Sequence, residues 1–151
     1  MAEEKSGMHT SLDGIANDIF ESISTDPRAI YREDPLKYFA EKHDLRLPPV
    51  LKYVFDKVYF SAKDQVDGVR ESFGLDIIMC AARGAGKSLF ASMLEFSLWY
   101  FLDADSVNGG GSEEQATIVY EYCCSYIDAD SEVSKVVTKR TQSKTTKKGQ
   151  S

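Results

Sequence analysis

Cysteines and long apolar runs are scarce in this sequence, and basic residues are outnumbered by acidic ones, 18 to 24; each bears on what the chain can be. The three cysteines, Cys80, Cys123 and Cys124, are an odd set with two adjacent members. No C-x-x-C or Cys/His spacing suited to zinc is present, so reduced thiols in a cytosolic protein are the expectation. The most apolar stretch, Leu89–Leu102, spans about 14 residues and includes Glu95, whereas a bilayer crossing needs about 20. The opening MAEEKSGMHTSLDG lacks the charged-then-apolar pattern of a secretory signal. A soluble, cytoplasmic chain without a membrane partner is therefore expected. The net charge of −6 argues against non-specific nucleic-acid binding by the molecule as a whole.

What is present suits one domain. The chain has 151 residues, 42% of them apolar and 28% charged, as in ordinary globular proteins. Charge is unevenly spread. Residues 1–130 hold 12 basic and 23 acidic side chains, whereas residues 131–151 hold 6 basic and 1 acidic. An acidic body thus ends in a short basic tail.

Four regions follow along the chain. Residues 1–10 are polar and read as a disordered N-terminus. Residues 11–72 read as a helical preface. Leu12, Ile15, Ala16, Ile19, Phe20 and Ile23 share one helical face, and Asp26-Pro27 ends that pattern. Asp34-Pro35 reads as an N-cap and first-turn proline of a helix running to about His43. Leu47-Pro48-Pro49 breaks the chain before a further helix carrying Val50, Leu51, Val54, Phe55, Val58 and Tyr59. Residues 73–130 change character. Leu75–Ala81 is a short apolar run expected to form a buried parallel strand. A Gly-rich turn, a largely apolar helix from Lys87 to about Phe101, and a second strand within Asp103–Asn108 follow. Ser112-Glu113-Glu114-Gln115 is a capping box, and the helix it opens carries Ile118, Val119, Tyr122 and Tyr126 on one side. The expected fold class is α/β: a partial P-loop NTPase of βαβα order with parallel strands, preceded by the N-terminal helical segment. Residues 131–151 form the basic tail, expected to be an incomplete strand leading to a turn at Lys148-Gly149.

The chemistry concentrates in Ala81-Ala82-Arg83-Gly84-Ala85-Gly86-Lys87-Ser88. The pattern G-x-x-x-x-G-K-[ST] marks a phosphate-binding loop, and here Ala81 stands in place of the first glycine. A phosphate chain must be wrapped closely by amides. Gly84 and Gly86 allow positive φ and present no Cβ to the phosphates, and the amides of residues 84–88, Ala85 included, open the helix. Lys87 suits the outer phosphates, and the Ser88 hydroxyl suits Mg²⁺. ATP and Mg²⁺ are the expected cofactors, held by Arg83, Gly84, Ala85, Gly86, Lys87 and Ser88. The plainer alternative is a Gly-rich turn with an incidental lysine. Arg83 exceeds what a phosphate cradle needs. It is either a group that stabilises charge on a transferring phosphoryl, or a surface arginine paired to a carboxylate.

The loop resembles the Walker A variant of phage large terminase subunits, in which an arginine sits four residues before the lysine. Gly109-Gly110-Gly111-Ser112-Glu113-Glu114-Gln115-Ala116 is similar to that family's small-residue turn and helix start. A weaker likeness extends from Asp34-Pro35 through Leu47-Pro48-Pro49 and on to Thr138–Ser151. The resemblance implies the ATP-binding N-terminal part of a motor ATPase that packages double-stranded DNA into capsids in a phage-infected bacterium. It implies a portal, a small terminase subunit and a ring of identical subunits as partners. Arg83 and Lys87 would then be the catalytic residues, with Ser88 on the metal.

Two departures bear on activity. The nearest counterpart of the family's apolar-then-acidic Walker B strand is Thr117–Glu121, which has helical spacing and lacks the aspartate. No clustered carboxylates of a nuclease are present; Asp103/Asp105 and Asp128/Asp130 read as loop residues, and Gln115 reads as capping. The chain alone is therefore expected to be inactive and marginally stable, a fragment or the product of a truncated reading frame. Another P-loop enzyme, helicase-like or a small-molecule kinase, and a non-catalytic nucleotide-binding remnant are the competing readings.

Overall fold

A computed structural model describes residues 26–69, 71, 77–80, 82–107, 112–140 and 145–147. Helix α1, Pro27–Glu33, starts where Asp26 accepts from the Arg28 amide and Pro27 fixes the first-turn φ. The same device opens α2, Pro35–His43, with Asp34 accepting from the Lys37 amide. Asp-Pro therefore starts a helix twice: Asp26-Pro27, expected only to end the pattern over 12–23, also opens α1. Asp44 closes α2 in the left-handed conformation, its amide bonded to the Phe39 carbonyl. Helix α3, Pro49–Val66, turns Phe55, Val58 and Tyr59 inward. The expected helix over 12–23 lies outside the described residues, as do residues 1–10.

Helix α4, Lys87–Leu102, is the axis of the fold. Phe90, Ser92, Met93, Phe96, Ser97, Tyr100, Phe101 and Leu102 are buried along it. Residues on so many faces need cover on several sides, and α1, α2, α3 and α5 all pack on it. The two buried serines satisfy their hydroxyls within the helix, Ser92 on the Leu89 carbonyl (2.8 Å) and Ser97 on the Met93 carbonyl (2.7 Å). Helix α5, Glu113–Ala129, begins directly after Ser112. It buries Cys123, Cys124, Tyr126 and Ile127, while Ile118 and Tyr122 face out. The expected apolar side of this helix was thus only partly right.

These helices replace the expected sheet. No strand occurs among the described residues between 73 and 130, so the chain is not the α/β P-loop fold read from the sequence. Ile77–Cys80 follows no regular structure, and Ile78 is 90% exposed. The supposed second strand at Asp103–Asn108 is irregular through residue 107, with Asp103 left-handed and Val107 96% exposed. The physical reason is the lack of neighbours. A parallel strand is stable only when strands bond to its edges and helices cover its faces. Here the apolar faces of α4 are taken by other helices, and the run at 77–80 finds no partner strand among the described residues.

The tail also differs from expectation. Helix α6, Ser131–Val136, is capped by Asp130, which accepts from the Glu132 amide. It leads into β1, Val137–Arg140, which pairs antiparallel with β2, Thr145–Lys147. The turn expected at Lys148-Gly149 lies outside the described residues. Val136 and Val137 pack on the core and tie this end to the helices.

Aromatic rings fill the centre. Phe96 lies 5.4 Å from the Tyr38 ring in a stack, 5.6 Å from Phe39 edge-on and 5.7 Å from Tyr126. Phe55 joins α3 to α4 through Phe90, with centroids 6.3 Å apart. Each buried ring of this size contributes about 1.5–3 kcal/mol on transfer from water. Polar ties close the rim: Tyr59 donates to the Arg32 carbonyl at 3.0 Å, and Arg32 pairs with Asp67. No described helix is long and apolar enough to cross a membrane.

Candidate phosphate-binding turn

The turn at 82–88 forms locally. The Ala85 amide donates to the Ala82 carbonyl at 3.2 Å, folding the chain back on itself. Gly84 follows with φ +81° and Gly86 with φ +80°, a region L side chains rarely adopt. A Cβ on Gly84 would meet nothing within 4 Å, and one on Gly86 would lie 3.9 Å from Leu51 Cδ1. Steric room is therefore not what selects glycine here. The left-handed backbone selects it. Leu51 near Gly86 and Phe55 against Phe90 lay the first two turns of α3 beside the start of α4.

Gly86 is the N-cap of α4 and offers no capping side chain. The Phe90 amide makes the first helical bond, to the Gly86 carbonyl at 2.9 Å. The preceding amides have no intrahelical acceptor, and the dipole of a 16-residue helix adds partial positive charge at this end. Left-handed residues alternating with others turn successive amides toward one side, a concavity suited to an anion. Lys87 Nζ donates to the Ala82 carbonyl at 2.8 Å, so its ammonium spans the turn it follows.

The other expected site residues can be placed in turn. Ala82, Arg83, Gly84, Ala85 and Ser88 are exposed, and Gly86 and Lys87 are half-buried; Ala81 lies outside the described residues. The turn thus brings Arg83, Gly84, Ala85, Gly86, Lys87 and Ser88 together at one accessible helix start. No described carboxylate pairs with Arg83. Among the described residues no group of three or more His, Cys, Asp or Glu side chains is arranged to hold a metal ion. The fit to the expected cofactors is accordingly divided. Amides, lysine and glycines suit a phosphate chain. Among the residues of the described turn, the Ser88 hydroxyl is the one that suits Mg²⁺, whose remaining ligands would come from phosphate oxygens and water.

Thr117–Glu121 lies inside α5, as its helical spacing implied. One member of each acidic pair plays a structural part. Asp103 ends α4 and lies 3.9 Å from the Arg28 guanidinium. Asp130 is buried, caps α6 and accepts from the Tyr38 hydroxyl at 3.2 Å. The sequence reading missed this buried Tyr38–Asp130 pair. Its one local signal was Asp130 directly before a helix start, which says nothing of a tyrosine 92 positions away. No family model, curated protein or solved structure matches the chain.

Proposed function

We propose that the turn at 82–88 binds the phosphates of ATP with Mg²⁺. We further propose that the chain serves as the ATP-binding part of a large terminase subunit, the motor that packages double-stranded DNA into capsids. One observation carries the first reading: Gly84 and Gly86 are both left-handed directly before an uncapped helix start, with Lys87 Nζ lying across the turn. The motif resemblance supports the second. On this reading the amides at the start of α4 hold the anion, and Lys87 exchanges the Ala82 carbonyl for a phosphate oxygen. Ser88 contributes its hydroxyl to the metal, and Arg83 lies beside the outer phosphate.

A second reading, a non-catalytic nucleotide-binding module, is favoured by the place of Thr117–Glu121, the nearest counterpart of a Walker B strand, inside α5. Wild type and Lys87→Ala separate these readings when ATP binding is measured by calorimetry and turnover by phosphate release. Wild type is expected to bind ATP·Mg²⁺. The variant is expected to bind about 10–150-fold more weakly, the worth of a charge-assisted hydrogen bond of about 1.5–3 kcal/mol. Turnover by wild type favours the motor, and binding without turnover favours the module. No binding by wild type sinks both.

A further inference from the structure

We propose that His43 is a proton-sensitive latch, which when neutral closes α2 against the corner between α5 and α6 and when protonated loosens it. The imidazole sits in the last turn of α2, where three segments meet. Its ring centroid lies 5.3 Å from Tyr38 and 6.0 Å from Phe39 on its own helix, and 5.0 Å from Tyr126 on α5. Nε2 is buried and has no hydrogen-bond partner.

That geometry treats the two protonation states unequally. A neutral imidazole can leave Nε2 as a bare acceptor, whereas the protonated ring carries N–H on both nitrogens. Protonation thus buries a charged donor with nothing to receive it. The charged and titratable groups around it are Lys42 and Tyr38 on α2, Tyr126 on α5, and Asp130 between α5 and α6. Among the described residues Asp130 is the neighbour whose charge favours the imidazolium, and that charge is shared with the two donors its oxygens already hold, the Tyr38 hydroxyl and the Glu132 amide. The C-terminal end of the α2 dipole also favours a cation. Burial is the largest influence and opposes the charge; it outweighs the attraction of Asp130, and Lys42 adds to it, so the imidazole is held below its ordinary value.

The corner is tied onward to the start of α4. Ser92 Oγ donates to the Leu89 carbonyl at 2.8 Å, so in its 3.0 Å contact with Tyr126 the tyrosine hydroxyl is the donor. Cys123 Sγ adds a contact to the Ser92 carbonyl at 3.4 Å. Loosening Tyr126 therefore slackens α5 on the helix that the glycine turn opens. The latch does not depend on what that turn binds.

The sign of the pH effect follows from linkage. A histidine whose folded value lies below its unfolded one stabilises fully above about pH 6.5, and loses that stability as pH falls toward the folded value. One proton changes the folded-to-unfolded ratio by at most about tenfold per pH unit in that window. The test is urea unfolding of wild type, His43→Phe and His43→Gln from pH 7.5 to 5.0, with proton NMR of the wild-type imidazoles. The chain has 2 histidines, His9 and His43, so His9→Gln leaves the His43 resonance as the one imidazole signal in an otherwise wild-type chain. His43 is expected to titrate below the ordinary imidazole value, and wild type to lose stability on acidification more steeply than either variant. Amide exchange over 126–133 is expected to quicken in wild type before that of α3. Parallel pH profiles for wild type and variants overturn the latch. So does a wild-type His43 resonance that titrates at or above the ordinary value, a readout that stands even where neither variant folds.

Discussion

Replacing Phe96 with alanine tests the helical core directly. Phe96 is 1% exposed and lies midway along α4. Its ring meets Tyr38 and Phe39 of α2, Tyr126 of α5, and Trp99, Tyr100 and Phe101 of its own helix, all with centroids between 5.4 and 6.1 Å. Truncation removes the transfer energy of the ring and leaves a cavity walled by other rings, which cannot collapse without breaking their mutual packing. Phe→Ala at such positions costs about 3–5 kcal/mol. Ring–ring contacts of about 0.5–1.5 kcal/mol each favour the upper end of that range. With a urea slope of about 2 kcal/mol/M, the midpoint should fall by roughly 1.5–2.5 M. Against a total stability of about 5–15 kcal/mol, that is a large fraction. Tyr53→Ala is the control, because Tyr53 is 64% exposed and its removal should cost within about 0.5 kcal/mol. The assay is urea unfolding followed by far-ultraviolet circular dichroism. A loss below about 1 kcal/mol for Phe96→Ala would refute a core centred on α4.

Further outcomes follow from the same contacts. Gly84→Ala places a Cβ in open space but at φ +81°, so its penalty is conformational, about 1–2 kcal/mol. That cost falls on folding where the turn keeps its conformation and on ATP binding where it relaxes, so the losses in stability and in binding together should come to about 1–2 kcal/mol, and Gly84→Asn should recover part of them. Unchanged stability and unchanged binding in Gly84→Ala would show that the turn does not need its left-handed glycine. Asp130→Ala removes both the α6 cap and the acceptor of the buried Tyr38 hydroxyl, and should cost about 2–4 kcal/mol. In a double-mutant cycle with Tyr38→Phe the two losses should be less than additive; strict additivity would deny the bond. Of the three thiols, Cys80 is exposed, Cys123 and Cys124 are buried, and burial pushes the Cys123 thiol well above its ordinary value. One fast-reacting thiol per chain is therefore expected with Ellman's reagent under native conditions, lost in Cys80→Ser. Three fast thiols would mean that α5 is not seated on α4.

Sequence alone determined the features that depend on neighbours a few residues away. Asp34-Pro35 starts α2 because an N-cap carboxylate and a proline of fixed φ act within one turn. Leu47-Pro48-Pro49 separates α2 from α3, and Lys87 opens α4 after two glycines whose positive φ was legible from the motif. Even there one local signal was misread, since Asp26-Pro27 starts α1 by the same means. Tertiary structure decided the rest. A largely apolar helix such as α4 demands cover on several sides but does not say whether a sheet or other helices supply it. The apolar run at 77–80 has the composition of a strand, yet a strand exists only where another backbone accepts its hydrogen bonds, and none does so here among the described residues. Which side of α5 turns inward depended on what α4 offered: Ser92 and Phe96 draw in Cys123 and Tyr126 and leave Ile118 and Tyr122 outside. The Tyr38–Asp130 pair joins residues 92 positions apart. Local rules reach one helical turn, whereas packing and burial act across the whole chain.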